Sequence, residues 1–186
     1  MRALASITPD TMVRVHYNNY REHINADRFV FCAGILNANP GVMQNEREIV
    51  ESIRVNFIET AAMCDVILAQ NSSARICIIG SESGLVGSYD DIYAMAKAAL
   101  HAYVERKKLL STEQQLVAIA PSIIEDAGMT LRRKDRDNLI RRRQEHPKRR
   151  FIKAIEVARL IQFLLYVDEG YISGVIIRMN GGAHTC

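Results

Sequence analysis

The sequence predicts an α/β fold in which a parallel sheet carries helices on both faces. Short apolar runs that end at a glycine or a proline indicate buried strands, and longer segments with apolar residues at helical spacing separate them. Strands that alternate with helices in this way form a parallel sheet. No internal repeat or low-complexity linker interrupts the order, and 186 residues is an ordinary length for one domain. Residues 1–186 are therefore predicted to form a single domain.

The first elements follow from turn and capping residues. Residues 3–8 are predicted to form a short strand. Pro9 and Asp10 favour a helix N-terminus, so residues 11–23 are predicted to be helical. Residues 28–33 form an apolar run that stops at a glycine, which indicates a second, buried strand.

The middle of the chain alternates in the same manner. Residues 37–41 are predicted to be a loop, and residues 46–68 a long helix with one apolar face. Residues 75–80 have the composition of a buried strand. Residues 91–110 return to helical spacing, and their alanines let a neighbouring helix approach closely.

The last elements enclose an irregular region. Residues 115–120 are predicted to be a strand, and residues 121–150 an irregular segment. Residues 152–167 are predicted to form a helix that is too short, and too often interrupted by polar residues, to span a bilayer. Residues 171–179 are predicted to be the final strand, and no membrane partner is expected.

A basic block lies in the irregular region. Residues 131–153 contain eleven basic residues and three acidic residues. Such a block attracts anions, or it is simply the solvated face of a helix on a loop. Residues 131–150 contain no aromatic side chain on which a base could stack, and this disfavours a nucleic-acid site.

The cysteines and histidines show no spacing typical of a metal site. The cysteines form no CxxC pair, and two of them lie in apolar runs that suit reduced core thiols; they are Cys32, Cys64, Cys77 and Cys186. The five histidines lack the HExxH spacing. The N-terminal residues do not show the continuous apolar segment after a basic start that is typical of a signal peptide, so none is predicted. We therefore expect a cytoplasmic protein without a metal ion.

Tyr93 and Lys97 stand four residues apart in the predicted helix 91–110, so their side chains share one face. An ammonium beside a phenol favours the phenolate and is expected to lower the pKa of Tyr93 toward neutrality. A tyrosine tuned in this way can exchange a proton with a carbonyl or alcohol oxygen. The spacing alone is common in helices, but a glycine-rich turn with Ser81 and Ser83 lies just upstream and strengthens the interpretation.

This context resembles the short-chain dehydrogenase/reductase family from about residue 3 to residue 182. The resemblance includes the family's fourth strand, its asparagine-bearing helix segment, its fifth strand with the serine loop, the turn after strand six, and the C-terminal stretch. The segments that carry it occur in order, at residues 29–34, 55–57, 75–88, 119–122, 146–151 and 171–182.

The resemblance implies a Rossmann-like, doubly wound sheet and an oxidoreductase that uses NAD or NADP. By this resemblance Tyr93 is the general acid or base, and Lys97 lowers its pKa and holds the nicotinamide ribose. Ser81 contacts the substrate oxygen, and it is preferred to Ser83 because its spacing to the following glycine matches the family pattern. Asn56 holds a water that relays protons.

Further expectations come from the same resemblance. The basic region 131–153 is placed as a substrate lid, which favours an anionic small molecule or a carrier-linked substrate over nucleic acid. The family pairs subunits through the alanine-rich helix 91–110, so a homo-oligomer, either a dimer or a tetramer, is expected. The residues expected to contact the cofactor are Ala33, Gly34, Lys97, Pro121 and Ile124.

The chain also departs from the family pattern. No glycine precedes residue 34, so the glycine-rich pyrophosphate loop is missing, and the fold is expected to be truncated by the first two βα units, ~60 residues at ~30 per unit. Phe31 and Cys32 stand where the family has an asparagine pair, and Ser122 replaces a glycine near the nicotinamide.

Two hypotheses therefore remain. The first is an NAD(P)-dependent oxidoreductase that reduces a carbonyl or oxidises an alcohol. The second is a catalytically inactive, shortened homologue that acts as a binding protein or an oligomeric structural protein. The intact set of proton-handling residues favours the first hypothesis, and the missing cofactor loop favours the second.

Overall fold

The computed structural model describes residues 20–23, 26–38 and 43–184. The predicted strand 3–8 and most of the predicted helix 11–23 lie outside the described residues. The end of that helix is described as a short 3-10 helix, Tyr20–His23.

Four strands form one sheet: β1 (Arg28–Phe31), β2 (Arg75–Ile79), β3 (Gln115–Pro121) and β4 (Ile176–Met179). Their order is β1-β2-β3-β4, and each neighbouring pair is parallel. The predicted α/β class with a parallel sheet is confirmed. Because all four strands point the same way, the turns that follow them converge at one edge of the sheet, where open α/β sheets bind their ligands.

The described helices connect these strands. They are α1 (Glu46–Ile53), α2 (Glu59–Gln70), α3 (Ser83–Val86), α4 (Asp91–Arg106), α5 (Gly128–Leu131), α6 (Arg136–Glu145) and α7 (Ala154–Gln162). A π-helical turn, Arg54–Ile58, joins α1 to α2, and a second one, Phe163–Val167, continues α7. The predicted helix 46–68 is thus one continuous run with a π turn inside it.

Several predicted boundaries were wrong. The last strand begins at Ile176 rather than residue 171, because Gly170 and Gly174 have φ angles of 90° and 67°, which a strand does not accommodate. The predicted irregular region 121–150 contains helices α5 and α6. Helix α4 ends at Arg106 rather than residue 110, since the backbone of the following residue is extended.

Two apolar clusters pack on opposite faces of the sheet. On one face, α2 and α4 cover the sheet; the fully buried side chains there include Ile67, Ile76, Ile78, Leu100 and Leu116. On the other face, α7 and its π turn cover the sheet; the buried side chains there include Cys77, Val117, Ile119, Ile161 and Leu164. Successive strand residues point to opposite faces, so the continuous apolar runs of β2 and β3 are what a sheet covered on both sides requires.

A polar network closes the amino edge of the sheet. The Arg75 guanidinium donates to Gln115 Oε1 at 2.9 Å, to the Leu164 carbonyl at 2.9 Å and to the Asp168 carbonyl. The Gln115 amide in turn donates to Asp168 Oδ2 at 3.0 Å. These bonds tie the C-terminal end of the π turn after α7, whose carbonyls lack partners within the helix, to β2 and β3.

Replacing Arg75 with methionine is expected to lower the free energy of unfolding by about 2–4 kcal/mol, because each buried carbonyl left without a donor costs ~1–3 kcal/mol. The side chain of Arg75 is only 15% exposed, so water replaces the lost bonds poorly. Urea denaturation measures the change. Arg54→Met is the matched control, since Arg54 pairs with Glu51 on the surface and its loss is expected to change stability little. Equal effects of the two substitutions would contradict the role given to the network.

The described part of the chain contains neither a membrane-spanning helix nor a cluster of metal-binding side chains. No helix in this part has both the length and the apolar character needed to cross a bilayer. Nor do three or more of its His, Cys, Asp or Glu side chains come together in a group that could hold a metal ion. The cysteine thiols in this part are free, and burial raises the pKa of Cys64 and of Cys77 far above the usual range. Cys186 lies outside the described residues.

Candidate active site

A cleft of about 1240 Å³ opens at the carboxyl edge of the sheet. Its walls come from the segments that follow β1, β2 and β3, from the start of α4 and from the lid region. The predicted catalytic side chains Tyr93, Lys97 and Ser81 all line this cleft. So do all of the residues predicted to contact a cofactor, which are Ala33, Gly34, Lys97, Pro121 and Ile124.

The start of α4 is fixed by Asp90, a residue that the sequence interpretation did not single out. Asp90 is completely buried and caps the helix by accepting a hydrogen bond from the Tyr93 amide at 3.1 Å. Its carboxylate also accepts from the Asn37 amide at 2.9 Å and from Gln44 Nε2 at 2.8 Å. One carboxylate therefore ties the helix that carries Tyr93 to the segment after β1. An aspartate just before a helical pattern is the sequence signal by which this cap could have been found.

Lys97 is 3% exposed and lies one turn after Tyr93. Its Nζ donates to the Ile79 carbonyl at 3.1 Å and lies 3.5 Å from the Ala33 carbonyl, so it joins the ends of β1 and β2. The ammonium is 5.9 Å from the centroid of the Tyr93 ring. Burial lowers the pKa of Lys97 to about 8.

The phenol of Tyr93 is 7% exposed, and burial raises its pKa above the ordinary value. A hydrogen bond between the side chains of Ser81 and Tyr93 lowers the pKa but does not outweigh burial. The expectation that Lys97 lowers the pKa of Tyr93 toward neutrality was therefore wrong. The reason is that the ammonium donates to the Ile79 carbonyl of β2 and lies near the Ala33 carbonyl just after β1, and the phenol is removed from water. Tyr93 is thus a protonated acid at neutral pH.

Asn56 lies in the π turn between α1 and α2 and is completely buried. Its Nδ2 donates to the Ile35 carbonyl at 2.9 Å, and its Oδ1 accepts from the Ile35 amide at 3.0 Å. Nδ2 also lies 3.1 Å from Ser52 Oγ. The side chain therefore clamps the backbone just beyond β1 in the manner of a paired strand. That Asn56 holds a relay water stays a prediction.

Gly34, one of the residues expected to contact the nicotinamide end of a dinucleotide, lines the cleft close to Lys97. A Cβ at Gly34 would lie 3.2 Å from Asn56 Oδ1 and 3.7 Å from both Lys97 Nζ and Met129 Cε, so the glycine lets the backbone pass close to Asn56 and to the ammonium. Pro121 and Ser122 form the facing wall, and the Ser122 amide is tied to the Met179 carbonyl at 3.1 Å. Residues that would hold the pyrophosphate are not found in the described part of the chain.

The basic region 131–153, expected to be a substrate lid, supplies positive charge to the same cleft. Arg132, Arg133 and Arg142 line it. The guanidinium of Arg133 lies 5.6 Å from the centroid of the Tyr89 ring and is paired with Asp135, so part of the lid is fixed against the loop before α4. Arg142 is exposed, and its charge faces any anion that enters the cleft.

Comparison with known proteins agrees with this geometry. A family model described as enoyl-(acyl carrier protein) reductase matches residues 8–184. The uncharacterized oxidoreductase YmfI of Bacillus subtilis is 31% identical over 121 residues, which are 63% of this chain and 49% of that protein. The chain therefore spans about half the length of this relative.

Two further relatives match more of the chain. The 3-oxoacyl-(acyl-carrier-protein) reductase FabG of Pseudomonas aeruginosa is 26% identical over 96% of this chain and 74% of its own length. The acetoacetyl-CoA reductase of Allochromatium vinosum is 30% identical over 84% of this chain and 65% of its own length. In three dimensions, the chain is similar to a glucose/ribitol dehydrogenase of short-chain dehydrogenase/reductase type from Brucella melitensis. The TM-score is 0.80 at 21% identity, over 92% of this chain and 74% of the other.

Proposed function

This chain belongs to the short-chain dehydrogenase/reductase family, and we propose that it is an NAD(P)-dependent reductase of a carbonyl group. The observation that carries the proposal is the meeting of Tyr93, Ser81 and Lys97 in one cleft that the backbone of Gly34 also lines. We propose reduction as the direction because two named relatives are reductases, and a protonated phenol is compatible with it. Because burial raises the pKa of Tyr93, the phenol is the acid form at neutral pH, and an acid is what an oxygen needs as it gains negative charge.

Each side chain then has a distinct role. The Ser81 hydroxyl and the Tyr93 phenol, which line the cleft together, bind the substrate oxygen. Tyr93 gives its proton to that oxygen, and the Lys97 ammonium stabilises the phenolate that remains. Ala33, Gly34, Lys97, Pro121 and Ile124 would hold the nicotinamide end of the dinucleotide. When bound, the dinucleotide supplies the hydride, which no side chain can provide.

For the substrate, we propose an anionic acyl thioester, carried by coenzyme A or by an acidic carrier protein. Arg132, Arg133 and Arg142 give the lid side of the cleft a positive potential that attracts such a group. The names of two relatives, an acetoacetyl-CoA reductase and a 3-oxoacyl-(acyl-carrier-protein) reductase, support the same class.

The deciding experiment is a titration of the purified protein with NADH and NADPH, followed by calorimetry and by loss of reduced nicotinamide absorbance on addition of acetoacetyl-CoA. Saturable binding of either cofactor and turnover are expected. Absence of binding at millimolar cofactor would overturn the proposal. That outcome would favour the alternative, an inactive homologue that acts as a binding or structural protein.

The lid charge is tested by Arg142→Gln, which is expected to raise KM for acetoacetyl-CoA several-fold with little change in kcat. The reason is that a charge at the rim strengthens capture of an anion rather than the chemical step. Arg141→Gln is the matched control, because Arg141 is the preceding exposed arginine of α6 but does not line the cleft. The difference between the two variants should shrink as salt screens the lid. Identical KM values at low salt would contradict this account.

A further inference from the structure

His101 is a buried imidazole that the catalytic assignments leave unused. It lies on α4 one turn after Lys97 and is 3% exposed. Its Nε2 is 3.3 Å from the backbone nitrogen of Ser81, and the Ser81 amide donates to it. For Nε2 to accept, it must be unprotonated, so the ring proton belongs on Nδ1. Nδ1 has no hydrogen-bond partner among the described residues.

The serine loop is shaped around this ring. A Cβ at Gly80 would lie 2.3 Å from His101 Nε2 and 2.9 Å from its Cδ2. A Cβ at Gly84 would lie 2.9 Å from His101 Cε1 and 2.8 Å from the backbone carbon of Lys97. The two glycines on either side of Ser81 therefore let the loop rest directly on α4, with the imidazole between them.

We propose that His101 is a positioning residue, whose Nε2 holds the Ser81 amide and thereby sets where the Ser81 hydroxyl meets the substrate oxygen. This inference rests on the proposed function for its kinetic consequence. Its structural part, the bond from the Ser81 amide to a neutral ring, is independent of that function.

The surroundings keep the imidazole an acceptor. Burial, aided by the positive charge of Lys97, lowers the pKa of His101 to about 4. The ring is therefore neutral at physiological pH, and a protonated ring could not accept from the amide. His101 Nε2 also provides a hydrogen-bond acceptor for the Ser81 N–H. Ser81 is buried, so its amide would otherwise be unpaired and would destabilise the fold.

The kinetic test uses His101→Gln and His101→Leu. Glutamine places an amide oxygen where Nε2 accepts, whereas leucine fills similar space without an acceptor. Leucine is expected to lower kcat at least tenfold with little change in KM, and glutamine to stay within about threefold of the wild type. Equal losses in both variants, or no loss in the leucine variant, would overturn the proposal. Tyr103→Phe, a change on the same helix outside the cleft, controls for general perturbation of α4.

Two readouts do not need turnover. Hydrogen exchange of the segment 80–84 is expected to be faster in the leucine variant and unchanged in the glutamine variant. In the wild-type protein, nitrogen-15 NMR at pH 7 should show an unprotonated Nε2 and a protonated Nδ1 for His101. The opposite tautomer would overturn the proposal even if no variant folds. Absent turnover in the wild type with the expected tautomer would instead count against the proposed function alone.

Discussion

Replacing Tyr93 with phenylalanine is expected to lower kcat by ~10²–10⁴-fold, the range that a positioned acid contributes. The substitution removes only the hydroxyl of a residue that lines the cleft together with Ser81. The ring stays in its buried place on α4, so the melting temperature should change little. Steady-state reduction of acetoacetyl-CoA with a saturating cofactor measures the effect on kcat.

Tyr103→Phe gives a close control for this variant. Tyr103 is on the same helix, but its hydroxyl donates to Asp65 Oδ1 at 2.7 Å, away from the cleft. Full activity of the Tyr103 variant beside a nearly inactive Tyr93 variant would assign the loss to the proton donor. Turnover at the wild-type rate in the Tyr93 variant would refute the assigned role and leave the cleft without its acid.

The sheet and its covering helices were predictable because local signals agree with the global fold. In β2 and β3, continuous apolar runs that end at Gly80 and Pro121 allow little besides strands buried on both faces. The last strand was predicted to begin too early. Residues 171–175 have a strand-like composition, but the positive φ angle of Gly174 is incompatible with an extended strand, which therefore begins only at Ile176. Composition reports which residues favour a strand, but a single backbone angle is set by packing.

The sequence also predicted only part of the candidate site: the positions of its residues, but not their protonation or their contacts. The positions of Tyr93, Lys97 and Ser81 follow from motif order, and the structure brings them into one cleft. Their protonation does not follow, since the pKa of Tyr93 depends on how deeply the ring is buried and on whether Lys97 points at it or at a carbonyl. The contact between His101 and Ser81 joins residues twenty positions apart, and no periodic pattern in one sequence indicates it.

Lys97→Met is expected to abolish detectable reduction and to change how stability depends on pH. In the folded protein the pKa of Lys97 is about 8, below the ordinary value of 10.5 that the unfolded chain regains. Between these two values the unfolded state binds a proton that the folded state does not, so the stability of the wild type rises with pH in this window. The gain over the whole window is about 3 kcal/mol. Methionine does not titrate, so the stability of the Lys97→Met variant lacks this contribution.

The measured quantity is therefore the difference in unfolding free energy between the wild type and Lys97→Met from pH 7 to pH 10.5, because groups common to both cancel. That difference should be constant below about pH 8 and should then move in favour of the wild type as the folded lysine loses its charge before the unfolded one. The substitution also removes the hydrogen bond from Lys97 to the Ile79 carbonyl. Because a neutral amine still donates, this loss shifts the difference in unfolding free energy by the same amount at every pH and does not contribute to its pH dependence. A flat difference across the window would mean that the ammonium is solvated in the native protein, and the cleft would then lack the buried cation on which the stabilisation of the Tyr93 phenolate depends.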